Sequence, residues 1–286
     1  MRIRATVAAA SGALALSALA VPAAQADGSA PSYRAEAAKV LGSHGKTAFT
    51  ATAPVGDLDV SFSNFKIASA IAVGTTNRVS TTVTYTLTHG ADIDINSDDF
   101  DNGPLIYKGS IDAPENVLGG DLPATCTATS STTASCKGLI DIDPADELSN
   151  SDAGTWSGAG LALTSNDGST VQGGLATTKL QRYSKLTVNA SPEPVKKGKT
   201  VTVTGLLSRA NWDTGKYAGY TVQSVQLQFR KKSSDTYTTV KTVKSDSTGN
   251  LKTTTTATVD GYFRYNFAGT STTSAVKATG DYVDVQ

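Results

Sequence analysis

The chain is poor in the residues that most often carry chemistry: among 286 residues it has two histidines, two cysteines, two tryptophans and one methionine. His44 and His89 fall on different predicted elements, and neither a His-Glu-x-x-His nor a Gly-x-Ser-x-Gly sequence occurs, so no motif assigns metallohydrolase or serine-hydrolase roles. The two cysteines have no histidine or third cysteine near them in sequence, which argues against a zinc site. Gly45-Lys46-Thr47 copies the end of a phosphate-binding loop, but the first glycine of that motif would fall on Val40. Long apolar runs are missing as well. Beyond the amino terminus the best is Ile67 to Val73, far below the roughly eighteen residues a spanning helix needs.

The first twenty-six residues are the exception. Arg2 and Arg4 precede an apolar stretch from Ala5 to Val21, which ends at Pro22 and leads to Ala24-Gln25-Ala26. This basic, apolar, small-x-small order predicts a secretory signal cleaved after Ala26. No cysteine follows the cleavage point to take a lipid, and no sorting tail closes the chain, so the expected product is secreted and extracellular, with no membrane span.

What is abundant is Thr, Ser, Val and Gly, a composition that favours strands and turns. A net charge of zero conceals a division: Asp27 to Arg182 holds 18 acidic against 9 basic residues, and Tyr183 to Gln286 holds 7 against 14. The opposite signs suggest two domains with different surfaces, so the expected divisions are a signal peptide over 1–26, a flexible arm over 27–55, an acidic domain over 56–182 and a basic one over 183–286. Within the arm Tyr33, Ala37, Val40 and Leu41 share one helical face, which would suit a short docked helix.

From Asp57 onward, alternation such as Val79, Thr81, Val83, Tyr85 and Leu87 predicts half-buried strands, and seven or eight of them separated by turns argue a sandwich. Cys126 and Cys136 flank Ser130-Ser131-Thr132 symmetrically, so a hairpin turning there would set them opposite one another for a register-locking disulfide. The closed loop is short, and its contribution should be at or below roughly 3 kcal/mol. Asp152-Ala153-Gly154-Thr155-Trp156 resembles the Asp-x-Gly-x-Tyr corner of immunoglobulin domains with Trp for Tyr, a change expected to lose the phenolic hydrogen bond.

The second unit repeats the pattern. Val201 and Val203, Val225, Leu227 and Phe229, and Phe263, Tyr265 and Phe267 alternate with polar residues, and Ser247-Thr248-Gly249-Asn250 and Asp260-Gly261 mark turns. The run from Leu186 to Gly205, with Val225 to Lys232 and Phe267 to Thr272, resembles the immunoglobulin-like modules at the carboxyl ends of secreted actinobacterial proteins. The upstream unit is similar to a partner module of that group, some members of which carry a calcium-binding label. The resemblance implies fold and secretion, and it supplies no catalytic residues.

Two candidate sites follow. Asp92, Asp94, Asn96, Asp98, Asp99 and Asp101 form the one dense cluster of hard oxygen ligands, a candidate for Ca2+, with Asp141, Asp143, Asp146 and Glu147 as a second acidic run. It is not an EF-hand, because Ser97 holds the glycine position and Gly103 the place of the closing glutamate. Trp212, Tyr217 and Tyr220 lie in a connection between the second and third strands of the basic unit, beside Arg209 and Lys216. They could form a platform for polysaccharide or cap the end of the core. The expectation is an all-β chain of two consecutive immunoglobulin-like β-sandwich domains, not an enzyme, acting as an extracellular binding or structural module. Cell-surface or wall polysaccharide, or another extracellular protein, is the expected partner, and nucleic acid is not. A calcium-binding protein and a cryptic extracellular hydrolase are the rival readings.

Overall fold

A computed structural model describes residues 33–41, 58–166 and 168–286. The expected signal sequence, its cleavage point, His44 and the Gly45-Lys46-Thr47 run lie outside the described residues.

The acidic half folds through β1 (Val60–Lys66), β2 (Ala70–Val73), β3 (Val79–His89), β4 (Phe100–Ser110), β5 (Ala113–Gly119), β6 (Thr125–Ala128), β7 (Thr133–Ile142), β8 (Gly154–Thr164), β9 (Ser169–Gln172) and β10 (Thr177–Arg182). One sheet runs β1-β3-β7-β6, and the other runs β2-β10-β8-β4-β5 with β9 against β8. Strands β1, β3, β7 and β6 take the A, B, E and D places of an immunoglobulin sandwich, while β4, β8 and β10 take C, F and G. The alternation in β3 puts Val83, Tyr85 and Leu87 in the core, where Tyr85 packs beside the rings of Phe62 and Phe65. Burial pushes the Tyr85 phenol up, and its hydroxyl donates to Asn102 Oδ1 at 2.5 Å.

Cys126 and Cys136 stand directly opposite in the β6–β7 hairpin and are joined, with Cα atoms 4.1 Å apart. At the entry to β8 the indole of Trp156, 1 % exposed, donates from Nε1 to the carbonyl of Asp152 at 2.7 Å. The expected loss at the corner is therefore corrected: the indole N–H supplies the bond back to the upstream backbone that a tyrosine hydroxyl would make. Asp152 also accepts from the Ser149 amide and hydroxyl, which holds the turn leading into the strand.

Of the two expectations for the arm, a loose segment or a short docked helix, its central residues take the helix. Tyr33–Leu41 forms helix α1, and Tyr33 and Ala37 pack on Leu105, Tyr107, Ala159 and Leu161 on the outer face of the second sheet. Glycine at 103 makes room, since an added Cβ would lie 2.8 Å from the Tyr33 ring. Arg34 anchors the helix by ion pairs to Asp121 at 3.0 Å and to Glu147, and by donating to the carbonyls of Gly119 and Asp141.

The basic half contains β11 (Ser184–Leu186), β12 (Asn189–Ser191), β13 (Thr200–Asn211), β14 (Lys216–Gly219), β15 (Ser224–Lys231), β16 (Thr238–Lys244), β17 (Asn250–Thr256), β18 (Gly261–Phe267), β19 (Val276–Lys277) and β20 (Asp281–Val283). Long β13 pairs with β12 and β17 along its first part and with β11 and β14 along its second. The facing sheet runs β16-β15-β18, with β19 and β20 on the far edge of β18. Val201, Val203, Val225, Leu227, Phe263 and Tyr265 fill the space between them.

The two sandwiches share apolar packing, because Ala210 and Trp212 at the end of β13 join the core cluster of the first. Pro31–Gln286 accordingly forms a single compact unit. Polar bonds reinforce the junction: the Trp212 amide donates to Asn150 Oδ1 at 3.0 Å and the Asn150 side-chain amide to Asn211 Oδ1 at 2.7 Å.

Candidate functional site

The aspartate-rich segment does not converge. Asp94 Oδ1 accepts the Asn96 amide in a local turn, Asp99 Oδ1 accepts from the Ser165 hydroxyl, and Asp101 lies within β4, where burial pushes its carboxyl up. Asp92 and Asp98 stand elsewhere in the same turn-rich connection. Strand pairing takes Asp101 into β4, which begins at Phe100, while the other carboxylates stay in the connection before it. Among the described residues no group of three or more His, Cys, Asp or Glu side chains is placed to hold a metal ion.

The second acidic run is also committed. Arg78 contacts Asp121, Asp141 at 3.2 Å and Asp143 at 3.5 Å, and Glu147 belongs to Arg34. Burial opposes ionisation of Asp141, but hydrogen bonds from Ser80 and the Asp121 backbone, with the Arg78 charge, hold its carboxyl below the usual range.

The aromatic trio lies at the junction rather than on an open connection. Its segment continues β13 and folds back as β14. Trp212 is 2 % exposed and donates from its indole to the Gly74 carbonyl at 2.8 Å, so it offers no free face. The Tyr217 ring is covered by the Lys185 ammonium at 3.6 Å, and Tyr220 by the Arg209 guanidinium at 3.8 Å while its edge meets Phe267. An exposed platform at these rings is thus corrected for Trp212, whose indole instead plugs the first sandwich.

A different constellation occupies the outer face of the β16-β15-β18 sheet. Because Val225, Leu227, Phe263 and Tyr265 point inward, the alternate residues Gln226, Gln228, Arg230, Tyr262, Arg264 and Asn266 point outward. The registers Gln228↔Arg264, Arg230↔Tyr262 and Tyr262↔Tyr282 then bring them together across three strands. Arg230 stacks 3.9 Å from the Tyr262 ring centre, Arg264 lies 3.7 Å from that of Tyr237, and the Tyr262 and Tyr282 rings are 5.1 Å apart. Tyr237 reaches well across the face: a Cβ added to Gly280 would fall 2.1 Å from its hydroxyl.

Hydrogen bonds hold the arrangement. Arg264 Nε donates to Gln228 Oε1 at 2.9 Å, Asn266 to Gln226 at 3.1 Å, and Arg230 to the Ser234 carbonyl at 2.8 Å. Lys232 donates to the Tyr282 hydroxyl at 3.2 Å, a bond that raises its pKa, and that hydroxyl donates to Asp260. Among the described residues neither Arg230 nor Arg264 has a carboxylate partner. Stacking fixes the plane of a guanidinium while leaving N–H groups at its edge, which suits it to a planar anion. The sequence carried one signal for this face: an arginine and a tyrosine at the polar positions of the predicted strand around Phe263, where short uncharged residues would serve as well.

No family model matches this chain, and no curated protein matches it. Solved structures do. The dimeric latent PorU of Porphyromonas gingivalis is 10% identical with a TM-score of 0.27, covering 79% of this chain, which in turn spans only 20% of PorU. The mouse nectin-like molecule 4 ectodomain is 11% identical with a TM-score of 0.25, covering 82% of this chain and 67% of its own. The teleost fish polymeric Ig receptor ectodomain is 13% identical with a TM-score of 0.21, covering 82% and 97%. The immunoglobulin-like architecture is carried by the strand order itself, not by alignments this loose.

Proposed function

We propose that the protein is a secreted, non-enzymatic recognition module that binds its extracellular ligand through the outer face of the β16-β15-β18 sheet. The observation that carries the reading is the pair of guanidinium groups, Arg230 and Arg264, stacked on tyrosines and without carboxylate partners. Unpaired cations held in fixed planes on an outer sheet face are poor stabilisers and good ligands. Export is supported by the order of residues before Asp27 and by a disulfide, which persists in oxidising surroundings. Among the described residues no helix is long and apolar enough to cross a membrane.

The test is retention on purified bacterial cell wall by the wild-type chain and by the Arg230→Ala, Arg264→Ala double variant, both checked for an unchanged melting temperature. The wild type is expected to be retained and the variant to wash through; equal retention would overturn the assignment of this face. Amino-terminal sequencing of protein from culture medium is expected to begin at Asp27.

A further inference from the structure

We infer that the ligand of this face is an acidic polysaccharide, an inference that rests on the binding role proposed for the face. Three features point to that class. First, the two guanidinium groups sit on neighbouring strands, each with one hydrogen bond to a neutral oxygen and no carboxylate partner among the described residues, and a carboxylate or sulfate ester accepts a guanidinium fork through two oxygens. A ligand meeting both must carry acidic groups at intervals.

Second, the surroundings suit a polyol. Gln226, Gln228 and Asn266 offer amides that both donate and accept, and Tyr237, Tyr262 and Tyr282 add hydroxyls and partly exposed rings. Sugar hydroxyls need such two-way partners, and their C–H faces pack on aromatic rings. A protein partner would ask for something else, a desolvated apolar centre. Among the exposed large apolar side chains of the described residues, Val240 lies on β16 and none lies on β15, β18 or β20.

Third, the basic surface continues past the sheet. Lys232 at the end of the face also lines an open cavity of about 500 Å³ with Lys197, Lys231, Ser233, Val259 and Asp260. Through the Lys232–Tyr282 bond this cavity adjoins the tyrosine–arginine cluster, so cationic surface continues beyond the sheet. Asp260, which also lines the cavity, already accepts from the Tyr282 hydroxyl and the Val285 amide and lies 3.9 Å from the Lys232 ammonium, so it is held in the protein's own network.

The experiment is isothermal titration of the full chain with four probes: oligomeric polygalacturonate, dextran sulfate, neutral dextran and inorganic polyphosphate. Polygalacturonate is expected to bind with an affinity that falls as salt is raised, and replacing either arginine by alanine should weaken it roughly tenfold, the effect of losing a charge-assisted bond. Arg264→Lys keeps the charge and loses the fork, and is expected to weaken binding nearly as much. Dextran sulfate binding in place of polygalacturonate would assign the ester rather than the carboxylate within the same class. Binding of dextran as tight as that of polygalacturonate, abolished by the arginine variants, would leave the face standing as a binding site and overturn its acidic ligand. Polyphosphate binding as tightly as polygalacturonate would overturn the sugar. Polygalacturonate binding that neither alanine variant alters would remove the face itself, and silence toward both acidic polymers would overturn the inference.

Discussion

The two sandwiches share one strand plan and dispose of their surfaces in opposite ways. In the acidic one the outer sheet face is apolar and covered by α1, and the charges at its rim are spent on each other: Arg34 and Arg78 between them engage Asp121, Asp141, Asp143 and Glu147. In the basic one no described residue covers the equivalent outer face, and its arginines lie on tyrosines without a carboxylate partner among the described residues. The contrast teaches that net charge alone does not mark a binding surface. What marks it is charge that the fold orients and leaves unpaired.

The largest effect that would break the comparison concerns the junction. Trp212→Ala is expected to cost about 3–5 kcal/mol, since a buried indole is lost from the first core. Denaturant unfolding should then show two transitions where the wild type shows one; a single unshifted transition would mean that the sandwiches do not depend on this plug. Next comes the corner. Trp156→Phe keeps a ring and removes the N–H donor to Asp152, and is expected to cost about 1–3 kcal/mol from the unsatisfied carbonyl together with lost packing. Trp156→Tyr should cost less if the bond matters, and as much if only volume does.

Arg34→Ala sharpens the difference between a covered and an uncovered face. It removes two ion pairs and leaves the carbonyls of Gly119 and Asp141 without this donor, so amide exchange in α1 should quicken while the β13–β17 amides of the other sandwich hold their rates. Smaller still is a titration. The Asp246 carboxylate accepts the amides of Thr248 and Asn250 and the Thr248 hydroxyl, which lower its pKa to about 2. A folded value below the unfolded one means that this turn adds stability above pH about 4 and loses it as the pH falls toward 2. Carboxyl carbon shifts should place its midpoint near the low value, not near 4. Millimolar calcium, by contrast, is expected to leave the melting temperature unmoved, because the Asp92 to Asp101 side chains do not share a point.

Much of this fold could be read along the chain. Alternation at Val83, Tyr85 and Leu87 and at Phe263, Tyr265 and Phe267 reflects local geometry, so it marked the buried faces before any pairing was known. The opposition of Cys126 and Cys136 was legible for the same reason, since a tight hairpin sets its own register. Sites made between distant strands were not. Arg230 and Tyr262 meet only because β15 pairs with β18 in one register, and Tyr237 arrives from outside both strands. The Asp92 to Asp101 cluster is the opposite case: residues close in sequence do not gather three carboxylates on one point. For Trp212 the sequence left a surface platform and a core cap both open, because its partners, Gly74 and the first core, lie more than a hundred residues away.

The account turns on whether the uncovered face of the basic sandwich is the one that binds. Side-chain and backbone NMR shifts of the full chain, followed during titration with polygalacturonate, address this directly. The account predicts shifts at Arg230, Tyr237, Tyr262 and Arg264 with the acidic sandwich silent. Shifts confined to the Asp92 to Asp101 connection, to α1 or to the surroundings of Trp212 would contradict it.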